Sequence, residues 1–289
     1  MFDGFDEFDI STSGSTIHGR RGGSGPPVLL LHGIPETHLM WHRVAPRLAE
    51  NYTVVATDLR GWGDSGKPGS SANHEPYGMR AVARDQVEVM RSLGYEKFHL
   101  VGHDRGARCA YRLALDEPDV VTRLAVMDVV PIGDVYDRAD KTFSLSYWVW
   151  SFLAAPEPVP EQFIAAAPAV LVDFMLDTWP KVKDAFPAEV RAAYVKQFSD
   201  PPPFTRSARS SARPRHWTTS RTRRTAETER SPARCCSSGA NRVRSRSSTT
   251  TRSRSGGSGP TTYAASRYRS AISFPRRHPR RPHGSSWTS

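Results

Sequence analysis

Apolar residues occur in short continuous runs over the first part of the chain, separated by segments in which they recur every three or four residues. The continuous runs predict strands at residues 27–31, 52–57, 98–101 and 124–127. The periodic segments predict helices at residues 81–93 and 107–115. A run that is apolar on both faces is typical of a buried parallel strand. Strands that alternate with helices therefore predict a doubly wound, mostly parallel α/β sheet, with its chemistry at the carboxyl ends of the strands.

The pentapeptide Gly102-His103-Asp104-Arg105-Gly106 lies between a predicted strand and a predicted helix. A G-x-nucleophile-x-G sequence at such a junction is typical of the nucleophile elbow of α/β-hydrolases, in which two glycines permit a sharp turn. The central side chain here is a carboxylate, which displaces a leaving group from a saturated carbon and becomes an ester of the enzyme. Halides and strained epoxides suit that reaction, whereas ordinary esters and amides do not. The alternative is that Asp104 only caps the following helix.

Groups that can assist this carboxylate follow the neighbouring strands. The His-Gly-Ile-Pro turn at residues 32–35 supplies a backbone N–H, so we predict an oxyanion hole from the N–H groups of Ile34 and Arg105. Asp128 follows the last predicted strand and should lie close to the elbow, where a second carboxylate can orient a catalytic histidine. The alternative is that Asp128 only caps a turn.

Two arginines, Arg105 and Arg108, lie three residues apart at the start of the predicted helix. They share one helix face, at the end where the helix dipole disfavours cations. Paired guanidinium groups bind a carboxylate well, so their position predicts a substrate that carries a carboxylate beside its leaving group. The alternative is a solvated basic face.

Residues 26–200 resemble the haloacetate (fluoroacetate) dehalogenases of the α/β-hydrolase superfamily, which are neighbours of the epoxide hydrolases. The resemblance rests on residues 32–38, 101–108, 128–131 and 147–150. It implies an α/β-hydrolase core over residues 1–131 and a helical cap over residues 132–200, inserted after the sixth strand. Epoxide hydrolases more often carry an aromatic residue directly after the nucleophile, so Arg105 favours the dehalogenases. An epoxide hydrolase is the alternative enzyme.

The same resemblance implies roles for single residues. Asp104 would be the nucleophile and Asp128 the acidic partner of a histidine, while Arg105 and Arg108 would hold the substrate carboxylate. The cap pocket would be formed by Trp150, which would donate its indole N–H to the halide, and by Trp179 and Tyr147. The family usually has a histidine in its fluoride pocket where this chain has Val149. That difference favours chloride or bromide as the leaving group.

Composition changes abruptly near residue 201. Residues 1–200 contain 20 Lys and Arg against 27 Asp and Glu, whereas residues 201–289 contain 20 Arg and two Glu. The second segment also contains 19 Ser, no Leu and no Met. Such a segment buries too little apolar surface to offset chain entropy, so we expect residues 201–289 to be a disordered tail and the sheet to end after the sixth strand. The net charge of +11 therefore describes the tail rather than the catalytic domain.

A frameshift near residue 201 would explain this change. When GC-rich codons for residues 235–239, 249–263 and 270–279 are read from their third base, they allow three family-like segments in the family's order. The codon for the catalytic histidine then straddles Ala271 and Ile272, so the chain as written lacks that histidine. We expect such a chain to be alkylated at Asp104 and to hydrolyse the ester slowly. We expect His103 to support the elbow rather than to replace the missing base.

Other features limit the partners. The three cysteines show no disulfide or metal-ligand spacing, so no metal or cofactor is expected. The first residues do not form a signal peptide, and no apolar run reaches the length of a membrane span. We expect a cytoplasmic hydrolase of a small molecule, able to form a homodimer, without membrane or specific nucleic-acid partners. The alternative from another class is a nucleic-acid-associated protein that acts through its Arg/Ser-rich tail.

Overall fold

The computed structural model describes residues 1–180, 182 and 185–212. Its strands are β1 (Phe5–Ser11), β2 (Thr16–Gly22), β3 (Pro27–Leu31), β4 (Thr53–Thr57), β5 (Phe98–His103) and β6 (Val121–Met127). Its α-helices are α1 (Ala45–Ala49), α2 (Met79–Ser92), α3 (Arg105–Asp116), α4 (Ile132–Arg138), α5 (Lys141–Ser146), α6 (Trp148–Leu153), α7 (Val159–Ala166), α8 (Pro168–Thr178), α9 (Ala188–Phe198) and α10 (Pro202–Ala212). The predictions made for residues 213–289, including the frameshifted segments, lie outside the described residues.

The six strands form one sheet in the order β1-β2-β4-β3-β5-β6. The pairs β3–β4, β3–β5 and β5–β6 are parallel, while the hairpin β1–β2 and the pair β2–β4 are antiparallel. The predicted doubly wound, mostly parallel sheet is therefore confirmed. The sequence analysis assigned no strand before residue 27, because β1 is an edge strand whose apolar residues alternate with charged ones.

The central strands are apolar throughout because both faces of the sheet are covered. On β3, Leu29 and Leu31 belong to one core cluster, and Val28 and Leu30 belong to a second cluster on the opposite face. Side chains alternate across a strand, so only a continuous apolar run fills both layers. The predicted helix at residues 81–93 is confirmed as α2, which begins two residues earlier.

Six helices, α4 to α9, lie within residues 132–198, in the region where a helical cap is expected. Within the described residues no single helix has the length and apolar character that a membrane crossing needs. Helices α7 and α8 meet those criteria only when taken together, and they are bent by 87°.

Helix α10 corrects the expected start of the disordered tail. Phe204 is 1% exposed, and its ring is stacked on Phe198 of α9 with 4.3 Å between centroids. The expectation of disorder from residue 201 is therefore wrong for residues 202–212. It averaged composition over the whole segment, whereas one buried aromatic ring and a row of small residues are enough to pack a short helix.

Candidate active site

Asp104 stands at the sharp turn between β5 and α3. Its backbone adopts φ 45° and ψ −107°, in the positive-φ region that L-residues rarely occupy. The flanking glycines are required, because a Cβ on Gly102 would collide with the backbone of Gly106, and one on Gly106 would collide with the carbonyl of Leu31. The side chain of Asp104 makes no capping hydrogen bond to α3. The alternative that Asp104 only caps the helix is therefore wrong.

The two carboxylate oxygens of Asp104 have different neighbours. The backbone N–H of Ile34 donates to Oδ1 at 3.1 Å, from the turn after β3. Nη2 of Arg108 lies 3.7 Å from Oδ2. One oxygen is thus held by the turn and the other faces the arginines. The backbone N–H of Arg105, the second donor assigned from sequence, stays a prediction.

Arg105 and Arg108 are buried, with exposed fractions of 5% and 3%. Arg105 donates to the hydroxyl of Ser207 on α10, and the guanidinium carbon of Arg108 lies 4.0 Å from the centre of the Trp150 ring. Burial, together with the charge of Arg108, lowers the pKa of Arg105 to about 10 against the opposing effect of Asp104. The alternative of a solvated basic face is therefore wrong.

The Nε atom of Arg108 is buried and has no hydrogen-bond partner among the described residues. Burial of an unsatisfied charged donor costs free energy, because its bonds to water are lost. The site therefore has capacity for an anionic acceptor beside Asp104.

A pocket opens in front of Asp104. Its lining comprises Ile34, Asp104, Arg105, Arg108, Tyr136, Val149, Trp150, Leu153, Trp179, Ala208 and Ser211. Trp150, Trp179 and Val149 thus lie where the sequence analysis placed a substrate pocket. Tyr136, Ala208 and Ser211 were not singled out from sequence, since no local motif marks them.

The structure corrects the predicted placement of Tyr147 in the cap pocket. It is absent from this lining, and its ring is stacked on Phe143, 5.3 Å away, and meets Trp150 edge-on at 6.2 Å. Tyr147 lies at the break between α5 and α6 and stacks back on Phe143 of α5, whereas Val149, Trp150 and Leu153 lie on α6 and line the pocket.

Asp128 follows β6 with φ 49°, beside the elbow. Its Oδ2 lies 3.7 Å from Nε2 of His103, and its side chain is 69% exposed. The histidine that faces Asp128 in the described part of the chain is thus His103, the residue before Asp104.

Glu36 links the turn after β3 to the elbow, a role that the sequence analysis missed. Its Oε2 accepts from the backbone N–H of Gly33 at 3.1 Å and lies 3.0 Å from Nδ1 of His103. Burial alone would lower the pKa of His103, but the hydrogen bond and charge of Glu36, with the charges of Asp104 and Asp128, raise it to about 9. A glutamate four residues beyond the histidine of the turn was visible in the sequence, but its partner is known only from the fold.

One cluster has the composition of a metal site. The ligand atoms of His18, His38 and Asp58 lie within 4.8 Å of one another, and all three residues are buried. These groups already bind each other and their neighbours: Nδ1 of His38 lies 2.9 Å from Asp58, and its Nε2 accepts from the guanidinium of Arg20. A cation there would meet that fixed positive charge, so the cluster is better explained as a structural hydrogen-bond network.

Comparison with known proteins fits this geometry. The family described as the alpha/beta hydrolase fold matches residues 26–157. A solved structure from Nostoc sp PCC 7120, described as an alpha/beta hydrolase, is 46% identical, with a TM-score of 0.72 over 73% of this chain and 74% of that one. The chain belongs to the alpha/beta hydrolase family. The predicted resemblance to this family is confirmed.

Two curated relatives show how much of the chain is similar to known enzymes. A fluoroacetate dehalogenase from Burkholderia sp is 47% identical over 202 residues, which are 70% of this chain and 66% of that protein. A soluble epoxide hydrolase from Corynebacterium sp. (strain C12) is 42% identical over 119 residues, which are 41% and 40% of the two chains. The chain thus spans about two thirds of the first relative's length and less of the second.

Proposed function

We propose that this chain uses Asp104 as a nucleophile to displace halide from a small 2-haloacid. Oδ2 forms a bond to the carbon that carries the halogen, the halide leaves with the electron pair, and an ester joins Asp104 to the acid. Water then attacks Cγ of this ester, its proton passes to the departing oxygen, and a 2-hydroxy acid is released. The contact of Ile34 with Oδ1 supports this choice of attacking oxygen, because Oδ1 becomes the ester carbonyl.

The observation that carries this proposal is the pair of buried arginines beside the nucleophile. The Nη2 atom of Arg108 is 3.7 Å from Oδ2, while Nε of the same guanidinium lacks a partner among the described residues. An epoxide has no anionic group for these cations, whereas a haloacid carries one on the carbon under attack. The relative named as a fluoroacetate dehalogenase supports the same substrate class.

The leaving group is proposed to be chloride or bromide rather than fluoride. Fluoride departs only with strong hydrogen bonding, and Val149, 2% exposed in the pocket wall, offers no donor where the related dehalogenases usually have a histidine. Trp150 is the residue proposed to donate to the halide, and Trp179 is proposed to line the entrance. We expect halide to be released faster from chloroacetate than from fluoroacetate. In Val149→His the ratio of these two rates should be smaller.

Asp128 is proposed to orient the base that activates water, as the acidic member of a triad. The frameshift near residue 201 and the loss of the catalytic histidine also remain proposals. They predict that the chain as written forms the ester on Asp104 and hydrolyses it slowly. Resequencing the gene around codon 201 tests the frameshift directly.

The test of the nucleophile is intact-protein and peptide mass spectrometry after incubation with chloroacetate. We expect a carboxymethyl adduct on Asp104, and none in Asp104→Asn, which keeps the size of the side chain. Hydroxylamine should remove the adduct, since it cleaves esters and not thioethers. Cys109 is buried, which raises the pKa of its thiol well above the ordinary value and keeps it unreactive.

An adduct that hydroxylamine removes and that forms equally in Asp104→Asn would refute the nucleophile. Diol formation from an epoxide without halide release from haloacids would favour the epoxide hydrolase alternative, which the Corynebacterium relative represents. Binding of nucleic acid through the Arg/Ser-rich tail stays a prediction, because residues 213–289 of that tail lie outside the described part of the chain. The cytoplasmic location and the homodimer stay predictions.

A further inference from the structure

Ser207 on α10 contacts one of the two arginines beside Asp104, although it lies 102 positions from that arginine in the sequence. The Nη2 atom of Arg105 donates to the hydroxyl of Ser207, and that hydroxyl in turn donates to the carbonyl oxygen of Tyr77 at 3.5 Å. Ser207 is 3% exposed and Arg105 is 5% exposed, so both bonds lie in a region from which water is largely excluded. A hydroxyl can both donate and accept, and Ser207 uses both capacities.

The position of Ser207 is fixed because α10 is anchored on both sides of it. Before Ser207, the ring of Phe204 is stacked on α9. After it, Nη1 of Arg209 lies 2.9 Å from Oε1 of Glu157 and 2.7 Å from Oε1 of Glu161, next to and within α7. The hydroxyl of Ser207 is therefore held in place by contacts that do not involve Arg105.

The same face of α10 forms part of the pocket wall. Ala208 and Ser211 line the pocket, and so does Arg105. Residues three and four positions apart share one face of a helix, so Ser207 lies on the face that carries Ala208 and Ser211. Ser207 therefore contacts Arg105 at the margin of the pocket in which the substrate is proposed to bind.

Arg105 requires an uncharged acceptor for a physical reason. Burial and the charge of Arg108 together lower the pKa of Arg105 to about 10. The like charges repel each other, and a long side chain has several rotamers, so a restraint is needed to keep both guanidinium groups directed at one anion. A carboxylate in the place of Ser207 would neutralise Arg105 and compete with the substrate. A hydroxyl restrains the guanidinium and leaves its charge available.

We propose that Ser207 is a positioning residue for substrate binding: its hydroxyl fixes the guanidinium of Arg105, whose remaining N–H groups bind the substrate carboxylate together with Arg108. This inference rests on the function proposed above. Ser207 lies beyond residue 201, where the frameshift is proposed, so every experiment uses the chain as written.

The test compares the labelling of Asp104 by chloroacetate and by chloroacetamide, which differ in the charge that Arg105 is proposed to bind. Intact mass spectrometry follows ester formation at several concentrations of each reagent and gives a maximal rate and a half-saturating concentration. For Ser207→Ala we expect the half-saturating concentration of chloroacetate to rise about 5- to 10-fold with little change in the maximal rate, because the carboxylate is bound before halide is displaced. Labelling by chloroacetamide should be unchanged.

Other substitutions on α10 serve as controls. Ser207→Thr keeps the hydroxyl and should give a half-saturating concentration close to that of the wild type. Ser210→Ala removes a hydroxyl from the same helix, at a half-buried position outside the pocket lining, and should alter neither constant. If Ser207→Ala does not fold, as judged by circular dichroism, Ser207→Cys takes its place, since a thiol fills the site but is a weak acceptor. A thioether formed there would resist hydroxylamine, unlike the ester on Asp104.

A double-mutant cycle assigns the effect to Arg105. Arg105→Gln removes the charged partner, so in that background Ser207→Ala should cause at most about a 2-fold further loss of the labelling rate at low chloroacetate. A merely structural role of Ser207 would lower the rate by the same factor in both backgrounds. It would also lower the rate of labelling by chloroacetamide.

The role of Ser207 would be overturned by an unchanged half-saturating concentration in Ser207→Ala, by an equal loss with both reagents, or by a loss that persists in Arg105→Gln. A wild-type chain that forms no ester on Asp104 would instead contradict the proposed function. The two failures are therefore distinguishable.

Discussion

The guanidinium of Arg108 lies between the Trp150 ring, 4.0 Å from its centre, and Oδ2 of Asp104, 3.7 Å away. An arginine that is 3% exposed, and whose Nε has no hydrogen-bond partner in the described part of the chain, is expensive to bury, which supports its proposed role in holding the substrate carboxylate. We expect Arg108→Gln to weaken the binding of chloroacetate by roughly 10- to 100-fold, because a charge-assisted hydrogen bond contributes about 1.5–3 kcal/mol. The measurement is the concentration of chloroacetate that half-saturates the rate of Asp104 labelling.

Chloroacetamide provides the internal comparison, since it has the same leaving group and no charge. Chloroacetamide should label Asp104 at the same rate in Arg108→Gln as in the wild type. If the labelling rates with chloroacetate and with chloroacetamide fall equally in the variant, the substitution has damaged the nucleophile itself. Arg191→Gln is a suitable control, because it removes an arginine that pairs with Asp173 and Asp177 on the cap surface.

His103 should also make stability depend on pH. Its folded-state pKa of about 9 lies above the ordinary value of 6.5, so the stabilisation is present below pH 6.5 and is lost as the pH rises to about 9. We expect the free energy of unfolding to fall over this interval by up to about 3 kcal/mol from this group. The fall is measured by urea titrations of the wild type and of His103→Gln at both ends of this pH interval. A fall of the same size in the variant would show that other groups are responsible.

At the scale of elements, α10 tests how far the fold extends along the chain. Phe204 is stacked on Phe198 and lies 5.7 Å, between ring centres, from Trp62. We expect Phe204→Ala to lower the free energy of unfolding by about 3–5 kcal/mol, since it leaves a cavity under the helix. Phe163→Ala, at a position that is 69% exposed, should cost less than about 0.5 kcal/mol. Similar losses in urea titrations of both variants would contradict the packing of α10.

The same helix shows why composition alone misplaced an element. The segment after residue 200 has few apolar residues, but Phe204 meets a ready-made aromatic surface, and Ser207 meets a buried guanidinium. Neither partner is adjacent in sequence. Tyr147 shows the converse, because the break between α5 and α6 divided an aromatic stripe in the sequence between a pocket wall on α6 and a stack on Phe143 of α5.

At the scale of the whole molecule, β6 forms an edge of the sheet in the part of the chain that the structure describes. Val126 is 45% exposed and Met127 is 37% exposed. An uncovered apolar edge strand pairs readily with other chains. We therefore expect the protein to associate with increasing concentration in sedimentation velocity, and Val126→Lys to suppress this. Val44→Lys changes a side chain that is 43% exposed and lies away from that edge, so it should have no effect. If both variants associate equally, β6 does not mediate the association.

The sequence by itself determined the order of the core elements, the elbow at Asp104 and the two arginines that follow it. These features are local: a buried parallel strand must be apolar throughout, and a turn as tight as this one must have glycines where a Cβ would strike the backbone. Only the tertiary structure decided most of the groups that surround Asp104. The pairing of Glu36 with His103 and the contact of Arg105 with Ser207 on α10 join residues that are far apart along the chain, and no local pattern encodes such distances.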